Sequence, residues 1–462
     1  MSEQDTQLKK GRLGVLGIVF FVVAASAPLV GMTGAVPVAM LAGNGAAAPG
    51  AYLAVGLVLL LFSVGYAAMS NRVTNTGAFF AFVGRGLGTN TGVASAFASI
   101  VGYVTIQLAI YGFFGAIVAG EMAARFAIDL PWYVWTLLAW AIVTGLSLLS
   151  VDIGAKVLGV LMILELLSLL VTAVVILANG GPEGLNIYGE ESKDPKRAVP
   201  RATYWAIGII TVLFAVTSFA MVSGMGAGKI FDEVIARSAV EGVPLANPAG
   251  VLFSLADQYV GTWMSQVMSI LVISSLFAGL LAFQNATSRY FFAMGRGGVL
   301  PKRFGTTNKA GAPMMGVVLT SALAAAVIVY FAAAGLDPVL NLFFWMSAVT
   351  AIAIIFVEIL VSVAIVVHFM KEGGENVWRS KVAPIAAAIG LVLGEYLLMS
   401  RFNLLAGTVP EGVDPSLPES AWQLNTLGWV LVLSPFIAAV IGFVVASVNK
   451  KENSSLVNDI LS

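Results

Sequence analysis

Apolar residues fall in long unbroken runs along this chain, and the polar residues gather between the runs in short clusters. An apolar run of about 20 residues, rising ~1.5 Å per residue as a helix, crosses a hydrocarbon layer of ~30 Å. The pattern predicts helices over about 15–40, 50–69, 92–124, 132–150, 153–178, 202–224, 258–288, 313–334, 338–367, 383–400 and 425–448, each closed by charges, proline or a glycine cluster. That gives eleven spans in an all-α polytopic membrane protein.

The spans are not uniformly apolar. The first carries Pro28, Gly31, Gly34 and Pro37. Proline removes a backbone donor and crowds the carbonyl four residues back, so the helix is expected to break over 26–31. It is either a simple kink or a discontinuous helix whose ends expose amides and carbonyls at mid-membrane. In the third span Tyr103, Gln107 and Tyr111 recur every four residues on one stripe, which can shape a pocket or hydrogen-bond to a neighbouring helix. Glu165 stands deep in the fifth span, where a charge costs about 3 kcal/mol on insertion scales. It is expected to face the bundle interior or hold a proton, as a proton carrier or as a structural hydrogen-bonding group. Trp345 is a candidate gate or an interfacial anchor. Glu358 and Glu395 are further intramembrane acids without an evident partner, and His368, beside Lys371, is expected to be solvated at a helix end.

Composition sharpens this picture. Of 462 residues, 59% are hydrophobic and only 10% are charged, with a mean hydropathy of +0.94; a soluble domain would carry about 25% charged residues. There is no cysteine and one histidine, so disulfides, thiolate metal sites and histidine clusters are ruled out, and neither metal nor cofactor is expected. Zero net charge, with basic residues scattered over short loops, argues against nucleic acid as a partner. No nucleophile has a base at a meaningful spacing, so the chain is not expected to be an enzyme. The polar N-terminus, residues 1–14 with Lys9, Lys10 and Arg12, leads into a full span instead of a short cleavable signal, and no processing is expected.

Charge placement tests the span count, because Lys and Arg accumulate in short cytoplasmic loops. With a cytoplasmic N-terminus and eleven strictly alternating spans, 9 basic residues fall inside and 15 outside. One more crossing between Leu177 and Ile187 flips every later loop. The distribution becomes 20 inside and 4 outside, the four being Arg125, Lys229, Arg237 and Arg401. The charges call for twelve spans where eleven are legible.

Three segments carry a family resemblance. Tyr188-Gly-Glu-Glu-Ser-Lys-Asp-Pro-Lys-Arg-Ala-Val-Pro-Arg201 is the most specific, followed by Thr74-Asn-Thr-Gly-Ala-Phe-Phe-Ala-Phe-Val-Gly-Arg85 and Ser288-Arg-Tyr-Phe-Phe-Ala-Met-Gly-Arg-Gly-Gly-Val-Leu-Pro301. They resemble the loops after the sixth, second and eighth helices of the amino acid/polyamine/organocation transporter superfamily, in particular its bacterial amino acid permeases. The resemblance implies a five-plus-five inverted-repeat transporter fold with helices 1 and 6 broken at the substrate site and two helices appended. On this chain that means a first repeat over 15–178, the remainder of the second over 202–367, appended helices over 383–448 and a cytoplasmic tail over 449–462. The sixth helix is missing from the pattern, its place taken by a charged connector over 179–201.

The resemblance further implies transport of an amino acid or related amine across the inner membrane, coupled to a proton or a sodium ion. Ala25, Ser26, Ala27, Pro28 and Gly31 would supply substrate-binding backbone, with Tyr103, Gln107 and Tyr111 shaping the pocket. Glu165, Ser274 and Ser275 would serve coupling, the serines matching positions where sodium-coupled relatives place hydroxyl ligands. The alternatives are a truncated, transport-defective permease, or a membrane sensor or partner-binding protein.

Overall fold

The structure is a computed structural model and describes residues 26–72, 78–149, 155–179 and 198–448. Its helices are α1 (Pro28–Leu41), α2 (Ala48–Ser70), α3 (Ala78–Leu87), α4 (Thr89–Phe126), α5 (Trp132–Leu148), α6 (Ala155–Ala178) and α7 (Ala198–Met225). After these come α8 (Ile230–Ser238), α9 (Ala249–Tyr259), α10 (Thr262–Arg296), α11 (Met314–Ala333), α12 (Phe344–Glu372), α13 (Ala383–Ser400), α14 (Phe402–Ala406) and α15 (Thr426–Val448). Among the described residues, nine helical segments are long and apolar enough to cross a membrane, and α1 and α5 are shorter apolar helices. Among the described residues there is no strand beyond one isolated bridge, Val240 to Val243. The chain is an all-α polytopic membrane protein.

Small residues let these helices approach. A Cβ at Gly86 of α3 would run into the backbone of Ala364 on α12, and one at Gly316 of α11 would lie 2.6 Å from the Ser288 carbonyl on α10. Without a hydrophobic drive between helices in lipid, such backbone-level contact is a main source of packing energy. The largest buried cluster gathers side chains of α1, α4, α6, α7 and α9 to α12, among them Met32, Tyr111, Leu169, Met221, Leu252 and Leu276. A second, around Phe82, Val357 and Val361, ties α3 to α2, α4, α12 and α13.

The structure corrects several expected boundaries. The span over 258–288 is divided at Gly261, whose φ of +120° suits glycine, into α9 and a longer α10. The segment expected as a loop over 74–85 is helical from Ala78, and the loop expected from Ser288 remains α10 as far as Arg296. Of the first span, residues 28–41 form α1, while 15–25 lie outside the described residues. Positions 180–197 of the charged connector also lie outside them, and 198–201 already belong to α7.

Candidate functional site

Ala27 is left-handed (φ 41°, ψ 66°) directly before Pro28, the first residue of α1. A residue with a Cβ avoids that region by about 1–2 kcal/mol, so packing must hold the break in place. Gly31 N–H closes the first turn on Ala27 O at 3.0 Å. The amides ahead of it have no intrahelical acceptor, and they carry the positive end of the helix dipole.

Glu165 of α6 occupies that end. Its side chain is buried, Ser275 of α10 donates to its Oε2 at 3.2 Å, and the Leu29 backbone amide lies beside the same carboxyl group. Three elements separated by long stretches of sequence therefore converge on one carboxyl group. A carboxylate at a helix N-terminus is held by charge-assisted hydrogen bonds. Protonating it would release the Leu29 amide and the Ser275 hydroxyl for another acceptor. Ser274, its sequence neighbour, instead turns back to its own helix and donates to Leu271 O at 2.8 Å.

Aromatic rings cover the glycines of α1. A Cβ at Gly31 would lie 2.5 Å from Cζ of Phe214 on α7, and Tyr52 of α2 packs against that same ring at 5.3 Å. A Cβ at Gly34 would lie 2.8 Å from Cζ of Phe343, which stacks on Phe113 at 4.6 Å. Neither Phe214 nor Phe343 stands out in the sequence, where a phenylalanine in an apolar run carries no signal. Ser26 and Ala27 are partly buried at this break and Pro28 is buried, whereas Ala25 lies outside the described residues.

The stripe on α4 divides among separate partners. Tyr103 packs against Tyr290 and Phe283 of α10 at 5.1 and 6.2 Å. Gln107 donates to Gln284 Oε1, and Gln284 Nε2 donates to Val317 O at 3.1 Å and Ser321 Oγ at 2.9 Å on α11. Thr144 and Trp140 of α5 complete the network by donating to Ser321 Oγ at 3.0 Å and Ser321 O at 2.8 Å. Gln107 and Gln284 are fully buried, so this is a dry amide network between four helices. The buried Tyr111 hydroxyl has Gln107 beside it but no well-aligned hydrogen bond.

Trp345 donates its indole N–H to Ala406 O at 2.7 Å and meets Phe331 edge-on. His368 is not solvated, contrary to its expected place at an exposed helix end. It is buried, 3.4 Å from Glu372 and edge-on to Phe369, with the cations of Arg72 and Arg85 nearby. The cause is α3, which crosses α12 one turn away at Gly86 and Ala364. Glu395 is buried with neither carboxylate oxygen hydrogen-bonded.

The sequence profile of the family described as "Amino acid permease" matches residues 169–432, more than half of the chain. The chain is 27% identical over 220 residues to the branched-chain amino acid permease BcaP of Lactococcus lactis, covering 48% of this chain and 43% of that one. It is 24% identical over 241 residues to the amino-acid permease RocE of Bacillus subtilis, covering 50% and 47%. Over 124 residues it is 31% identical to the large neutral amino acids transporter small subunit 2 of Mus musculus, covering 27% and 20%. The chain thus spans less than half the length of each of these relatives.

Proposed function

The chain belongs to the amino acid permease family, and from that premise we propose that it carries an amino acid or related amine across the inner membrane, coupled to a proton through Glu165. The observation that supports this most is the meeting of the Leu29 amide, the Ser275 hydroxyl and the Glu165 carboxylate at the break before α1. An ionised Glu165 competes with a substrate carboxylate for the α1 amides. A proton on Glu165 withdraws that competitor, so proton and substrate bind together and leave together. The sequence from Ser26 to Gly31 then receives the substrate, the rings of Phe214 and Phe343 flank it, and the N-terminus lies in the cytoplasm on the side where the basic loops gather.

The test uses proteoliposomes with an imposed pH gradient and labelled leucine, glutamate or a polyamine. Leucine is the first choice, because two of the relatives are named for branched-chain and large neutral amino acids. Accumulation of one of these that collapses with a protonophore is the expected result. Binding without flux would reject transport, and proton-driven accumulation by Glu165→Gln would reject the coupling role.

A further inference from the structure

Glu358 stands on α12, and the packing of α12 against α4 fixes what it faces. Thr105 and Thr350 share a hydroxyl hydrogen bond of 2.8 Å, Thr350 Oγ1 lies 3.3 Å from Gly102 O, and a Cβ at Gly102 would touch Ile354 at 3.0 Å and Ala353 at 3.3 Å. Descending α4 therefore ascends α12, so the two helices run antiparallel at this crossing. Side chains one turn on share a face, which brings Glu358 to the level of Ser99 and Tyr103. Tyr103 lies within electrostatic range of Glu358 and faces Tyr290, whose buried hydroxyl has Tyr103 and Ser99 as polar neighbours but no aligned hydrogen bond.

Two features distinguish this place from ordinary packing. Glu358 lies within a membrane-spanning helix yet keeps some accessible surface, and it makes no ion pair among the described residues. The titratable group within its electrostatic range is Tyr103 of α4, and Tyr290 of α10 and Tyr66 of α2 are in turn neighbours of Tyr103. The other neighbours at this level, from α2, α3 and α13, form the apolar cluster around Val357 and Val361. A carboxyl in a membrane span without a cation is a functional position by default. Here α4, α10 and α12 run unbroken, so their carbonyls stay within the helices, and one carboxylate with three hydroxyls offers too few oxygens for a hard metal cation.

We propose that Glu358, with Tyr103 within range and Ser99 at its level on α4, is a second proton-binding site of this protein, distinct from Glu165. Along α10, Tyr290 lies about 22 Å beyond Ser275 at ~1.5 Å per residue, so the two carboxyl groups serve different depths of the bundle. A proton on Glu358 is shared by hydrogen bonding with the phenol of Tyr103, and the Tyr290 hydroxyl, beside Tyr103, supplies the next position. This site stands whether or not Glu165 couples transport.

Infrared difference spectra recorded on acidifying the full chain in lipid nanodiscs test it without requiring a transported substrate. The expected result is a protonated-carboxyl stretching band that disappears in Glu358→Gln, persists in Glu165→Gln and moves to higher frequency in Tyr103→Phe as its hydrogen bond is lost. A Glu358→Gln spectrum identical to the parent would overturn the proposal. So would a Tyr103→Phe spectrum with every carboxyl band unmoved, and that measurement decides the matter if Glu358→Gln does not fold. A band that responds to added sodium ions instead of protons would also overturn it.

Discussion

Ser275 and Gln284 sit on the same helix, α10, and hold opposite kinds of polar company. Ser275 joins an ionisable carboxyl group to the N-terminal end of α1, and its partners stand on α6 and α1. Gln284 joins neutral amides and hydroxyls on α4, α5 and α11 into a fully buried network with defined donors and acceptors. The first arrangement changes its hydrogen bonds when one proton arrives. The second has no group that titrates, so it works as a fixed frame. Polar groups inside one bundle thus divide into those that switch and those that hold.

The largest expected effect breaks the switching side. Glu165→Gln keeps the shape and removes the charge, and proton-driven accumulation of labelled substrate is expected to fall at least about tenfold, the equivalent of ~1.4 kcal/mol. Substrate exchange without a gradient should survive, because the α1 amides remain. On the holding side, Gln284→Leu strands Gln107 and Ser321, and the thermal stability of the purified protein is expected to drop by about 1–3 kcal/mol. Adding Gln107→Leu should recover part of that loss, since two apolar partners leave fewer polar groups unsatisfied. If the single and double variants melt alike, the network is not the frame described here.

The adjacent serines give a finer comparison. Ser275→Ala removes a hydrogen bond to a charged group and is expected to weaken proton-coupled uptake several-fold, by about 1 kcal/mol. Ser274→Ala only frees the Leu271 carbonyl of its own helix and is expected to change uptake and stability by less than about 0.5 kcal/mol. Equal losses in both variants would dissolve the distinction. The smallest effect concerns Gly31→Ala, whose new methyl group can displace the tip of the Phe214 ring. Uptake is expected to slow about twofold and to return with Phe214→Leu, as partial relief of overpacking requires.

Much of this was legible in the chain, and what was not has physical reasons. The start of α1 at Pro28 follows from that proline, and the inward direction of Glu165 follows from the cost of a charge in hydrocarbon. The Ser275 contact distinguishes two serines that are equal in sequence, because only the rotation of α10 against α6 selects one of them. Tyr103, Gln107 and Tyr111 share a stripe, yet α10 approaches at an angle and gives each a different neighbour. Glu358 looked isolated because its neighbours lie on a distant helix, and nothing in the sequence singled out Gln284. The short helices α3, α8 and α9 were missed, as none is long enough to announce itself against polar surroundings, and the burial of His368 went with them.

The amide network around Gln284 has an electrical consequence. It lies along α10 between Ser275, beside Glu165, and Tyr290, beside Tyr103, and it contains neither a titratable group nor an accessible surface on its two glutamines. It is an insulator. With no titratable side chain, it supplies no group that could relay a proton along α10 between the levels of the two carboxyl groups.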